Sequence, residues 1–295
     1  MSASEINIMA LAGTDYSNAS EGDLRIVFGK LLDARMHGLC FSPYANDQRP
    51  GSELTSEQIQ SRIEIIKPYT NWVRTFSCAD GNERIPRIAH ENGLKTMVGA
   101  WLGKDLDDNE KEIVNLIEIA RAGYADNVAV GNEVLYRDDL SEEQLIAYID
   151  RVKKALPELQ VGYVDAYYEF VNRPSLTDAC DVVFANCYPY WEGCDFEYSL
   201  LYMKDMYHRV SKAAKGKKVV ISETGWPSQG TAHGAAEPSV GNALKYFINT
   251  QEWARDDDLE VFYFSSFDED WKIGDEGDVG AYWGIWDKNG ELKFE

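Results

Sequence analysis

Two carboxylates sit where a folding chain does not place charge without cause. Val219-Val220-Ile221-Ser222-Glu223 carries β-branched residues straight into an acid, and a Gly225-Trp226-Pro227 corner follows. Earlier, Val128-Ala129-Val130-Gly131-Asn132-Glu133 repeats the pattern. A carboxylate at the end of a buried apolar run is expensive to desolvate. Each acid is therefore either paired with a cation for structural reasons or held in place for chemistry. Asn132 and Glu133 also have a plainer reading, as a cap on the helix that follows. Two acids facing one mouth suit glycoside hydrolysis, in which one protonates the leaving oxygen and the other attacks or shields the cationic sugar carbon. A gap of ~5 Å between them allows direct attack and retention, and a wider one admits water and gives inversion. The Asn132 amide has a role beside them, holding the sugar 2-hydroxyl as charge develops.

The elements that must position these groups alternate along the chain. Strand candidates are His37–Phe41, Trp72–Phe76, Lys95–Ala100, Asn127–Gly131, Gln160–Val164, Val182–Asn186, Lys218–Ser222 and Glu260–Ser265. Helical patterns lie between them. Thr55-Ser56-Glu57-Gln58 and Ser141-Glu142-Glu143-Gln144 open two as capping boxes, and Leu145, Ile149, Val152 and Leu156 share one face. Glu83–Asn92, Glu197–Ala214 and Ser239–Ala254 supply others. Each step has the length of a β-α unit, and about eight in one chain predict an α/β fold of the (β/α)8 TIM barrel type. A doubly wound sheet is the alternative, but Ser42-Pro43-Tyr44-Ala45-Asn46 after the first strand is no Gly-rich phosphate loop. In a barrel, catalytic groups come from the C-terminal strand ends, where Glu133 and Glu223 both fall. The chain reads as one domain over 1–295, with 1–35 an N-terminal extension whose helix, near Glu21–Leu32, closes the barrel floor.

Composition narrows the partners. The 295 residues carry a formal net charge of −21, which repels nucleic acid and anionic membranes and favours a neutral ligand. Eight Trp, seventeen Tyr and eleven Phe suggest a large core or a groove lined by flat faces. Trp226, Trp271 and Trp101 are candidate platforms for a pyranose ring, each with a core role as the other reading. Five Cys, the last three spaced evenly at seven in no zinc pattern, read as reduced thiols, and four scattered His offer no HExxH pair, so no protein-held catalytic metal is expected. No apolar run approaches the ~20 residues of a membrane span. The opening MSASEINIMALAG lacks a basic region and a long apolar core, so it does not read as a secretory leader. The acid-rich stretch Asp268–Asp278 reads as a solvated loop.

Val130-Gly131-Asn132-Glu133-Val134-Leu135-Tyr136-Arg137 and Ile221-Ser222-Glu223-Thr224-Gly225-Trp226-Pro227-Ser228 resemble the two signature blocks of glycoside hydrolase family 17, the β-1,3-glucanases. The resemblance runs from about Gly38 to Trp286. It implies a retaining barrel glycosidase with Glu133 as acid/base and Glu223 as nucleophile, acting on a β-1,3-glucan such as laminarin without a cofactor, as a monomer. It further implies that Tyr188, ending the sixth strand, donates to the nucleophile. Asp165 falls where the family often carries an acid near the sugar. Tyr44 would line the subsite beside the cleaved bond, and Glu269 with Lys272 matches a Glu and Lys pair of the family. Plant members carry a further Glu that corresponds here to Gly280, and Phe76 replaces a common Tyr.

Three rivals accompany this reading. A glucan transglycosylase of the same family differs only in what intercepts the intermediate. A noncatalytic glucan-binding barrel would lack one carboxylate. An enzyme of phosphorylated metabolites would need a Gly-rich phosphate cup where Gly225-Trp226-Pro227 places a bulky ring.

Overall fold

Eight parallel strands pair in chain order and close on themselves. They are β1 (Met36–Cys40), β2 (Thr70–Arg74), β3 (Lys95–Ala100), β4 (Asn127–Asn132), β5 (Val161–Ala166), β6 (Val182–Asn186), β7 (Lys218–Thr224) and β8 (Val261–Tyr263). The seam is made by Gly38 against Phe262 and Leu39 against Tyr263. The chain is a (β/α)8 barrel, seen in a computed structural model that describes residues 13–16, 18–45 and 47–295. The leader reading of Met1–Gly13 thus falls almost wholly outside the described residues.

The helices are α1 (Glu21–Asp33), α2 (Ser56–Ile66), α3 (Ile85–Glu91), α4 (Leu106–Arg121), α5 (Glu142–Ala155), α6 (Tyr167–Asn172), α7 (Pro174–Ala179), α8 (Ser199–Ala213) and α9 (Val240–Asp256). Local chemistry sets their ends. At α5, Ser141 and Gln144 form the expected reciprocal box. At α2 only half of it forms: Thr55 Oγ1 accepts from the Gln58 N–H at 3.2 Å, while the Gln58 side chain donates to the Pro43 carbonyl at 2.7 Å. The connection after β5 splits into α6 and α7 because Pro174 cannot continue a helix.

The N-terminal helix, α1, packs against α9. Phe28 meets Phe247 with ring centroids 4.8 Å apart, and Arg255 donates to the Leu31 carbonyl at 3.0 Å. No helix follows β8, only 3-10 turns at Asp270–Lys272 and Gly277–Tyr282. α1 buries Leu24, Phe28 and Leu32, the apolar face its sequence supplies.

Among the described residues no helix is long and apolar enough to cross a membrane, and no group of three His, Cys, Asp or Glu is placed to hold a metal ion. All five cysteines are free thiols, four of them buried.

Candidate active site

β4 ends in a bulge: its register against β5 shifts between Ala129 and Asn132. Gly131 makes the bulge possible. Its φ is +92°, and a Cβ there would come within 2.8 Å of Val134 Cγ2. Glu133 follows with φ +50°, a left-handed conformation that a residue with a Cβ adopts only when its surroundings impose it. β7 is irregular at the matching height, with shifts against both β6 and β8 around Glu223. Gly225 then lets the chain pass β8, since a Cβ would lie 2.1 Å from the Phe264 carbonyl oxygen.

These two irregular strand ends deliver both acids to one cavity of about 520 Å³. Glu133 Oε1 accepts from Asn186 Nδ2 at 2.8 Å. Asn186 is itself fixed, its Oδ1 accepting from Ser222 Oγ at 2.8 Å. Burial of the Glu133 carboxyl, followed by the nearby Glu223 charge, pushes its pKa up to about 8. Glu223 has different company. Its Oε2 accepts from Tyr188 Oη at 2.8 Å, and its Oε1 lies 2.8 Å from Arg74 Nη2. That second contact lacks hydrogen-bond alignment and is coulombic. Burial, then Glu223, drives the Tyr188 hydroxyl well above the ordinary phenol range, so it remains a donor.

Arg74 links the parts. It is buried at the end of β2, its guanidinium lies 4.2 Å over the Phe76 ring, and Nη2 donates to Asn132 Oδ1 at 2.6 Å. With its oxygen so engaged, Asn132 offers N–H groups to a ligand.

The remaining residues singled out in the sequence divide. Tyr44 and Trp271 are half-buried and meet edge to face, 6.3 Å apart, on the segments that follow β1 and β8, and neither is among the residues lining the cavity that holds the acids. Lys272 is buried, with Nζ 2.7 Å from Glu269 Oε2 and 4.1 Å over the Phe264 ring. Glu269 is buried too, and its Oε1 accepts from Ser42 Oγ at 2.5 Å and Trp271 Nε1 at 2.9 Å. Every oxygen of Glu269 is thus engaged, and it braces the β8 loop. Two expectations are corrected. Trp226 is no platform: it is 2% exposed, packed on Tyr190, Phe196 and Tyr246, and its indole N–H donates to the Glu237 carbonyl at 3.0 Å. Asp165 does not face a sugar, because it is fully buried beneath the chain that follows Glu133. Trp101 is exposed, with Arg137 stacked 4.3 Å from its ring centroid.

The acidic stretch is also not simply solvated. Asp268 is buried against Lys293 at 2.8 Å. Glu276 lines the cavity, where burial, opposed by Lys272, leaves its pKa at about 7. Sequence reasoning passed over Glu276, Arg74 and Asn186. It also passed over Tyr136, Tyr168 and Trp191, which line the cavity on the β4–β6 side. Arg74 carried a usable signal, a charge closing an apolar strand, the same pattern that marked Glu223. Asn186 ends β6 and Tyr168 lies at the start of α6, while Tyr136, Trp191 and Glu276 lie outside the regular helices and strands, and their approach to the cavity depends on tertiary structure.

Comparison with known proteins places this geometry. Residues 38–284 match the family model described as the BtgE/BtgC glycoside hydrolase domain. A glucan 1,3-beta-glucosidase of Saccharomyces cerevisiae is 28% identical over 277 residues, spanning 83% of this chain and 86% of that protein. One from Schizosaccharomyces pombe is 28% identical over 251 residues, spanning 79% and 78%. Among solved structures, the glycoside hydrolase family 17 beta-1,3-glucanosyltransferase of Rhizomucor miehei superposes with a TM-score of 0.79 at 29% identity, over 88% of this chain and 96% of that one. An active-site mutant of it has been solved with laminaritriose.

Proposed function

The chain belongs to the BtgE/BtgC glycoside hydrolase family, within glycoside hydrolase family 17, and on that premise we propose that it cleaves β-1,3-glucosidic bonds inside a β-1,3-glucan such as laminarin. Glu133 is the acid that protonates the leaving oxygen. Glu223 attacks the anomeric carbon, and a glycosyl-enzyme is then hydrolysed with Glu133 as base. One observation carries the reading: acids from the ends of β4 and β7 line one cavity in unlike surroundings. A carboxyl kept protonated near neutrality suits the donor of a proton. Arg74 and the Tyr188 hydroxyl orient Glu223 for attack. Tyr188 can follow the charge as it leaves Glu223, and on this reading the Asn132 amide meets the 2-hydroxyl of the sugar.

Aromatic groups flank the pair on both sides. Tyr136 and Trp191 line the cavity on the β4–β6 side, and Tyr44 and Trp271 lie beyond it on the segments after β1 and β8. That distribution favours a chain interior over a chain end. Lys272 offsets part of the negative charge at the mouth, and Glu269 anchors it. On the same reading the protein acts as a monomer. Digestion of β-1,3-, β-1,4-, β-1,6- and mixed-linked glucans tests the substrate, and laminarin should be the one depolymerised. Rapid loss of viscosity with few new chain ends supports internal cleavage, whereas glucose as the sole early product contradicts it.

A second reading, glucanosyl transfer, is favoured by the aromatic faces on the acid's side of the cavity, 61% exposed at Tyr136 and 36% at Trp191, which suit a sugar acceptor. Laminari-oligosaccharides longer than the substrate would mark transfer.

A further inference from the structure

The turn that carries Glu133 is pinned from beneath by a buried pair outside the acid–nucleophile arrangement. The Glu133 N–H donates to the Val164 carbonyl at 2.8 Å, the Leu135 N–H to Tyr163 Oη at 3.0 Å, and the Tyr136 N–H to Asp165 Oδ2 at 3.4 Å. Tyr163 Oη in turn donates to Asp165 Oδ2, and Asp165 Oδ1 accepts from the Ala166 N–H at 2.8 Å. Tyr163 and Asp165 are both fully buried. Arg137 holds the other side, donating to the Asn132 carbonyl at 2.6 Å and the Leu102 carbonyl at 3.1 Å.

Asp165 is hard to explain as a stabilising group. Among the described residues no cation pairs with it, its hydrogen bonds come from one hydroxyl and two backbone N–H groups, and burial raises its pKa to about 6. A buried acid without a cation costs stability that an apolar residue would not. What its bonds do achieve is local: they grip successive residues after a left-handed Glu133. We propose that Tyr163 and Asp165 are positioning residues for Glu133, fixing the turn that aims its carboxyl at the leaving oxygen. The inference rests on Glu133 as the acid. Four groups act on the Glu133 proton: Glu223 and Asp165 favour keeping it, while Asn186 and Arg137 favour its loss.

The test compares Asp165→Asn and Tyr163→Phe with Glu133→Gln and the parent, in the intact chain. The substrates are aryl β-laminaribiosides with phenol and dinitrophenol leaving groups, and the readout is kcat/KM, which reports the first bond cleavage. Phenol needs a proton to leave and dinitrophenol does not, so Glu133→Gln should lose far more on the first. Asp165→Asn and Tyr163→Phe should follow that pattern, losing about tenfold or more on the phenyl substrate and no more than about twofold on the dinitrophenyl one. Asp165→Asn should also move the alkaline limb of the phenyl profile to lower pH, since a charge that helps hold the proton is gone. Equal losses on both substrates with an unmoved limb would make the pair merely structural and overturn the proposal. If Glu133→Gln itself shows no dependence on the leaving group, the acid assignment has failed, and the inference with it. Should Asp165→Asn not fold, Tyr163→Phe decides alone.

Discussion

Asn186 donates its amide N–H to Glu133 Oε1 across 2.8 Å, and the Ser222 hydroxyl holds the amide in that orientation. Oε1 is thereby taken as an acceptor, so the proton Glu133 carries belongs on Oε2. Ser222→Ala frees the amide to turn its oxygen toward Glu133. Oligosaccharide cleavage should then fall about threefold to tenfold, the worth of one buried hydrogen bond of ~1 kcal/mol. Initial rates on laminari-oligosaccharides check this, and an unchanged rate would show that the orientation does not matter.

Glu133→Gln and Glu223→Gln should each lower laminarin cleavage by about a thousandfold or more, with a native circular dichroism spectrum. The two losses differ in kind. Azide should restore activity to Glu223→Ala on an activated aryl laminaribioside, giving a glycosyl azide of inverted configuration. A rescued product of retained configuration would reverse the roles of the two acids.

Raised carboxyl pKa values fix the sign of the pH dependence of stability. Glu133 at about 8, Glu276 at about 7, and Asp165 and Asp268 at about 6 all bind their protons more tightly than in the unfolded chain. Their contribution is complete below the ordinary carboxylate range and is lost as pH rises through the folded values. Melting temperature should therefore fall between pH 5 and about pH 8, the interval those shifts span. Glu133→Gln should flatten the upper part of that decline and melt above the parent at pH 8. Thermal melts of both proteins across the interval decide it.

Tyr188→Phe removes a 2.8 Å hydrogen bond to Glu223 and little else. A hydrogen bond to a charged group contributes about 1.5–3 kcal/mol, so kcat/KM should drop roughly tenfold to a hundredfold. The melting temperature should hardly move. A large fall in stability with normal residual kinetics would mark Tyr188 as packing only.

Trp226 and Trp191 should separate stability from binding. Trp226→Ala opens a cavity in the core at a cost of about 3–5 kcal/mol, visible in denaturant unfolding. Trp191→Ala should leave unfolding alone and raise KM for laminari-oligosaccharides. The reverse result would place the sugar platform at Trp226 after all.

The barrel was legible because its evidence is periodic. β3 and β6 have the bounds their apolar runs suggested, and β7 runs two residues further, through Glu223 to Thr224. Both acids were legible as charges ending such runs. What escaped depends on side-chain direction. Trp226 follows Glu223 closely, yet Gly225 turns the chain so that the indole points into the core. Asp165 ends β5 as Glu133 ends β4, but faces beneath its neighbour's turn. Glu276 was counted among solvated acids because the sequence could not show that the 3-10 turns after β8 fold it back over the mouth.

Arg74 has a consequence for the reaction cycle. A single nitrogen, Nη2, lies 2.6 Å from Asn132 Oδ1 and 2.8 Å from Glu223 Oε1. On the proposed two-step route Glu223 becomes a neutral ester that no longer balances that guanidinium, and a stranded cation would strain the covalent stage. The amide oxygen of Asn132 stays in place throughout, and Glu133, having given up its proton, supplies the anion that Glu223 has surrendered. On that route the charge of the Glu133 and Glu223 pair is the same in both half-reactions, so neither half would need to draw a counterion from solvent.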